Sequence, residues 1–126
     1  MKTLLIIFSL AMVGLGFKTS GEIGYVIEGM RYGNAEQVAA YFDSNAELVF
    51  SGENISVTDR KQALKELQLF FSAHSVKNFE VIHRGENTTG EYCIGQLLTR
   101  NGAFRTTLFM KKNDRRMTVH SLKFEK

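Results

Sequence analysis

The side chains best suited to chemistry are spread along the chain rather than gathered. Histidine occurs at His74, His83 and His120, and none of them shows the His-x-x-x-His or Glu-x-x-His spacing that places two ligands on one helical face. No metal site and no cofactor are expected. An isomerase-like reaction needs a carboxylate base in an apolar pocket and a donor facing the developing oxyanion. Asp43 and Asp59 are the acids to consider, with Tyr41 and Tyr92 as donors. Both aspartates fall at expected helix ends, where capping accounts for them. Cys93, the single cysteine, lies mid-strand beside Gly95 and reads as a small buried hydrophobe. No glycine-rich phosphate pattern leads from Gly85–Gly90 into a helix. Lys111–Lys112 and Arg115–Arg116 flank one turn and make a small basic tip. No catalytic set is assembled.

The elements that would position these groups follow from hydrophobic spacing. Ile23, Val26, Ile27 and Met30 form an i, i+3, i+4, i+7 stripe, which predicts a helix. Asn34 caps a second helix whose stripe is Ala35, Val38, Ala39 and Phe42, ended by Asp43–Ser44–Asn45. Ala46–Ser51 reads as a short strand, and Gly52–Glu53–Asn54 as a polar loop. Asp59 with Gln62 resembles a capping box ahead of a third helix, striped by Leu64, Leu67 and Phe71 and ending near Ala73–Ser75. From Lys77 the period falls to two. Phe79, Val81 and His83 alternate with Glu80, Ile82 and Arg84, so His83 is expected to point inward. By the same reasoning His120 shares a face with Leu122 and Phe124. Strands at Glu91–Thr99, Ala103–Lys111 and Met117–Phe124 follow. The expected class is α+β, three N-terminal helices packed on a curved antiparallel sheet.

Asn101–Gly102 carries a type I′ hairpin signal, pairing Arg100 with Ala103. One face of that hairpin then holds Cys93, Gly95, Leu97, Thr99, Phe104, Thr106, Leu108 and Met110, without a charge. It should lie against the helices. The opposite face mixes Ile94, Leu98 and Phe109 with Arg105 and Lys111, too apolar for plain exposure. Ile94, Leu98, Arg105 and Phe109 are therefore expected to form an interface, most simply in a homodimer. The alternative is a monomer whose Arg and Lys stems shield the apolar residues.

Composition bounds the rest. The 126 residues are 44% hydrophobic and suit one domain. One cysteine excludes an intramolecular disulfide, and no proline excludes proline-rich recognition. A net charge of +3 gives no case for nucleic acid. Met1–Lys2, the apolar run Leu4–Leu15 and the small Gly14 and Gly16 before Phe17 have the form of a secretory signal peptide over residues 1–16, at most to about 21. A spanning anchor needs roughly 20 apolar residues, and Lys18 closes this run early. A buried core helix would need a polar face that the segment lacks. The expectation is an exported, periplasmic or secreted domain over residues 22–126, with no stable membrane anchor.

Helix, helix, short strand, long helix and curved strands resemble the nuclear transport factor 2-like fold. More narrowly, Gly33–Asn34–Ala35, Tyr41–Phe42–Asp43, Gln62–Ala63, Phe70–Phe71 and His83–Arg84–Gly85 carry a further likeness. Tyr92–Cys93–Ile94–Gly95–Gln96–Leu97, Thr99, Phe104–Arg105 and the Glu125–Lys126 end continue it. In that order they make the chain similar to a family of small secreted Bacteroidota proteins of unknown function with a cystatin-like cone. The resemblance implies the cone but brings no established activity. Enzymes on this fold, such as ketosteroid isomerase and scytalone dehydratase, use Asp, His or Tyr inside it, and a shared fold does not transfer that chemistry. A non-enzymatic domain binding a small apolar ligand or a protein partner, from the cell envelope or a second copy, is the leading expectation. In an open cone, Tyr41, Phe71, His83 and Phe104 would line the ligand site, and an isomerase- or hydrolase-like enzyme is the alternative. If the ten phenylalanines fill the cone, the protein works through its surface. Export predicts an intact mass for the mature chain that starts at Phe17. A mature chain retaining Met1 would instead mark the segment as an anchor.

Overall fold

The first helix, α1 (Glu22–Arg31), buries Ile23, Val26, Ile27 and Met30, the stripe its spacing dictates. The computed structural model describes residues 21–126, so the expected signal peptide lies outside the described residues. Asn34 caps α2 (Ala35–Ala39) by accepting from the Gln37 backbone N–H at 3.1 Å. Gly29 lets the two helices meet, since a Cβ there would stand 2.9 Å from Val38 Cγ2. The second helix is shorter than its stripe suggests. Phe42 is buried as expected, but it opens strand β1 (Phe42–Phe50) and pairs with Val119. A ladder to a neighbouring strand outweighs one more helical turn there.

A second difference follows at once. Ser51 and Gly52 both take positive φ, 48° and 94°, as a type I′ turn requires. They turn the chain into β2 (Glu53–Val57), where a polar loop was expected. Its exposed Glu53, Asn54 and Ser56 suit an edge strand. Asp59 then caps α3 (Arg60–His74), accepting from Gln62 N–H at 2.8 Å. Gln62 Oε1 reaches back to the Thr58 N–H at 3.0 Å, one residue earlier than a standard capping box. Ser75, with φ 55°, ends the helix.

Four long strands complete the chain: β3 (Val76–Glu86), β4 (Gly90–Thr99), β5 (Gly102–Asn113) and β6 (Arg116–Glu125). The sheet order is β2-β1-β6-β5-β4-β3. Every pairing is antiparallel except β1 with β6, which is parallel. The helices cover one face, where Leu48, Leu67, Phe79, Leu97, Leu108, Leu122 and Phe124 form one core. The expected inner face of β4 and β5 is buried throughout.

The register of that hairpin differs by two residues from the expectation. Thr99 pairs with Gly102 and Cys93 with Leu108. A shift of two preserves which face each side chain takes, so the division into faces stands. The reason lies in α3. Arg100 N–H donates to the carbonyls of His74 and Ser75 at 3.0 and 3.1 Å, and Thr99 Oγ1 donates to Gly102 O at 2.7 Å. Arg100 and Asn101 thus become the turn centre, and only Gly102 needs positive φ, at 108°.

Gly95 faces inward beneath Phe79, and an added Cβ would collide with the Phe79 ring and the Glu80 carbonyl. Gly95→Ala is expected to cost about 1–3 kcal/mol by overpacking, read as a lower urea midpoint with an unchanged slope. An unchanged midpoint would refute this packing.

Candidate functional site

The fold disperses the four residues expected to line a pocket. Phe71 and Phe104 are core residues, 5% and 2% exposed. Tyr41 sits at the mouth between α2 and β1, its ring edge-on to Tyr25 at 5.6 Å. Burial first, then Glu22 and Tyr25, raise its phenol above the ordinary value, against an opposing pull from Arg116. A raised phenol is a weaker general acid near neutrality.

His83 is a correction. An extra residue in β3, Ile82, stands between the Val81–Gly95 and His83–Ile94 pairings. This bulge reverses the alternation and turns His83 to the face away from the helices. There its Nε2 lies 2.9 Å from the Tyr92 hydroxyl, and the Tyr92 ring covers Gly85. His120 is corrected in the same way, since it is itself the extra residue between the Met110–Val119 and Phe109–Ser121 pairings. It is exposed and meets the Phe109 ring edge-on at 5.7 Å. The signal for this bulge was present in the sequence. Inward residues Met117, Val119, Leu122 and Phe124 skip three positions once instead of two. His74 stays at the end of α3, clasped by Phe70 and Phe104 at 4.7 and 4.9 Å, with Nδ1 accepting from the Asn101 amide at 3.0 Å. It joins the end of α3 to the β4–β5 turn in a packed junction.

Phenylalanine fills the space beneath α3. Phe70 lies 4.6–5.1 Å from Phe50, Phe104 and Phe124, centroid to centroid. Among the described residues, clefts of about 310, 340, 380 and 660 Å³ open on the surface. Phe71 borders one of them, between the α1–α2 turn and α3; Tyr41, His83 and Phe104 line none of the four. Among the described residues no three His, Cys, Asp or Glu side chains gather as metal ligands. No helix among them is long and apolar enough to cross a membrane.

The other face of the sheet holds the expected interface residues together. Ile94, Leu98 and Phe109 are half-buried, joined by Tyr92 and by Ile82, which is 60% exposed. Arg105 is exposed in the same surface, opposite Gln96, which is itself opposite Glu80. Glu80, Gln96, Arg105 and Glu125 therefore form one row across β3, β4, β5 and β6, with a carboxylate at each end and Arg105 beside Glu125.

Cys93 is fully buried on the inner face. Burial pushes its thiol up to about 11, with Arg84 pulling weakly the other way. The thiolate is the reactive form. Cys93 should resist a thiol reagent at pH 8 in the native state and react stoichiometrically in denaturant. Rapid native labelling would contradict the burial. The raised value also sets a sign for stability. Above about pH 9 the unfolded thiol loses its proton while the folded one keeps it, so this group's contribution falls as pH rises toward 11.

Residues 23–125 match the domain of unknown function DUF4783. Crystal structures of DUF4783 family proteins from Bacteroides ovatus and Bacteroides uniformis superpose with a TM-score of 0.77 each. They are 31% and 28% identical, span 81% and 82% of this chain, and are themselves covered over 92% and 94%. An NTF2-like protein of unknown function from Cytophaga hutchinsonii shares the fold alone, with TM-score 0.60 and 9% identity over 86% of this chain and 92% of that one. No curated protein matches the sequence. The helices on a curved six-stranded sheet are thus an NTF2-like fold, and the chain belongs to the DUF4783 family of unknown function.

Proposed function

We propose that this protein is an exported, non-enzymatic binding domain that works through the outer face of its sheet, with a second copy of the chain as the partner. The observation that carries the reading is the apolar surface of Tyr92, Ile94, Leu98 and Phe109, extended by exposed Ile82. A surface of this kind marks contact sites on soluble domains. The charge row fits a second copy, although Arg105 also has Glu125 of its own chain opposite it on β6. A twofold axis near Gln96 brings Glu80 of each copy over Arg105 of the other, and a twofold interface must be self-complementary in this way. The small-ligand reading has less support, because Phe71 and Phe104 pack into the core and His83 faces outward. The enzyme alternative would need titratable groups converging on a pocket. Asp59 is occupied as a helix cap, and Asp43 accepts from the Ser44 N–H at 2.8 Å in an exposed loop. Export rests on the N-terminal pattern of the sequence.

Light scattering at about 10 μM is expected to give a dimer, since a standard interface supports micromolar or tighter association. Phe109→Glu and Arg105→Glu should each shift the protein to monomer. Adding Glu80→Arg to Arg105→Glu should restore the dimer. A monomeric wild type refutes the proposal.

A further inference from the structure

The end of the β5–β6 hairpin is the most cationic part of the fold. Lys111, Lys112, Arg115 and Arg116 stand on either side of the Asn113–Asp114 turn. None of the four forms an ion pair among the described residues, where the sole pair joins Arg84 to Glu91. Asp43 and Asp114 border the clefts beside this tip, but the four cations outnumber them, so an added anion would relieve the remaining repulsion.

The backbone beside this tip is built out of the regular ladder. Strand β1 pairs through Phe42 with Val119 and resumes only at Glu47 with Ser121. Asp43, Ser44 and Asn45 loop out between those pairings, with Asn45 at φ 65°. Directly opposite, β6 carries its own extra residue, His120. Two irregularities thus face each other, and between them lies a cleft of about 310 Å³. Lys111, Lys112, Ser44, Asn45, Thr118 and His120 border it, together with the carboxylate of Asp43. A second cleft, of about 660 Å³, continues past Asp43 and Thr118 to Arg115 and Arg116. Asp43 and Asp114 are the carboxylates present, and Asp43 is turned to the Ser44 backbone. Ammonium, guanidinium, amide and hydroxyl donors around one concavity are the groups that hold a tetrahedral oxyanion.

We propose that the β1 loop-out and the β5–β6 hairpin end form a binding site for a phosphate-type oxyanion, free or carried on a lipid headgroup. The site does not depend on the dimer, because its donors all come from one chain. The test uses the full chain and titrates inorganic phosphate against chloride at constant ionic strength, followed by backbone amide shifts. Saturable shifts centred on Asn45, Lys112, Thr118 and His120 are expected. Lys111→Gln with Lys112→Gln should weaken binding at least tenfold, while Lys65→Gln on α3 should leave it unchanged. Circular dichroism confirms that the variants fold. A second arm sediments the protein with vesicles of equal parts phosphatidylglycerol and phosphatidylethanolamine. Phosphate saturation without co-sedimentation identifies a free anion. Co-sedimentation lost in the double lysine variant identifies a headgroup. Absence of both, or binding that the double variant leaves intact, overturns the site.

Discussion

Phe70 sets the limits within which the rest of the molecule operates. Its ring meets Phe50, Phe104, Phe124 and His74 between 4.6 and 5.1 Å and Phe71 at 6.2 Å, so it ties α3 to strands β1, β5 and β6 at once. Phe70 is half-buried, so truncating it should cost less than the ~3–5 kcal/mol of a fully buried phenylalanine, still a sizeable share of the ~5–15 kcal/mol that holds a domain together. The interior is thus packed with aromatic rings where a chamber would have to open.

The aromatic cluster also explains why the β4–β5 turn cannot follow its local preference. Asn101–Gly102 favours a tight turn in isolation, but α3 ends directly beneath it with carbonyls in need of donors. Arg100 supplies the N–H, and Asn101 supplies its amide to His74. Lys126 Nζ donates to Asn101 O at 2.6 Å and lies 5.2 Å from the Phe104 ring centre. Tertiary hydrogen bonding of an otherwise orphaned helix end outweighs a turn propensity worth about 1 kcal/mol or less. Meanwhile the I′ turn appears at Ser51–Gly52, a dipeptide with a weaker sequence signal.

Periodic burial was legible wherever the period stayed constant. The α1 stripe, the Asp59 cap and both faces of β4 and β5 follow from spacing, and the face division tolerated a register shift of two because strand side chains repeat every two residues. Legibility fails where a single residue interrupts the period. The extra residues Ile82 and His120 each reverse every later side chain, which moves His83 and His120 from an expected interior to the outer surface. Parallel pairing of β1 with β6 was hidden for a different reason. It depends on strands separated by most of the chain, and neither Phe42 nor Val119 carries a local mark of the other.

Those same interruptions give the sheet its usable surfaces. A regular ladder saturates its backbone and presents alternating side chains, leaving little concavity at its end. Where β1 loops out at Asp43–Asn45 and β6 bulges at His120, the strands separate and the cations of the hairpin end surround the gap. Where β3 bulges, Ile82 stays exposed in the strand's outward phase, His83 turns outward opposite Ile94, and Tyr92 settles over Gly85. Bulges bend the sheet around its phenylalanine filling and, by the same geometry, decide what its outer side offers. In a fold packed with phenylalanine beneath α3, the curvature that closes the core also shapes the clefts and the outer face of the sheet.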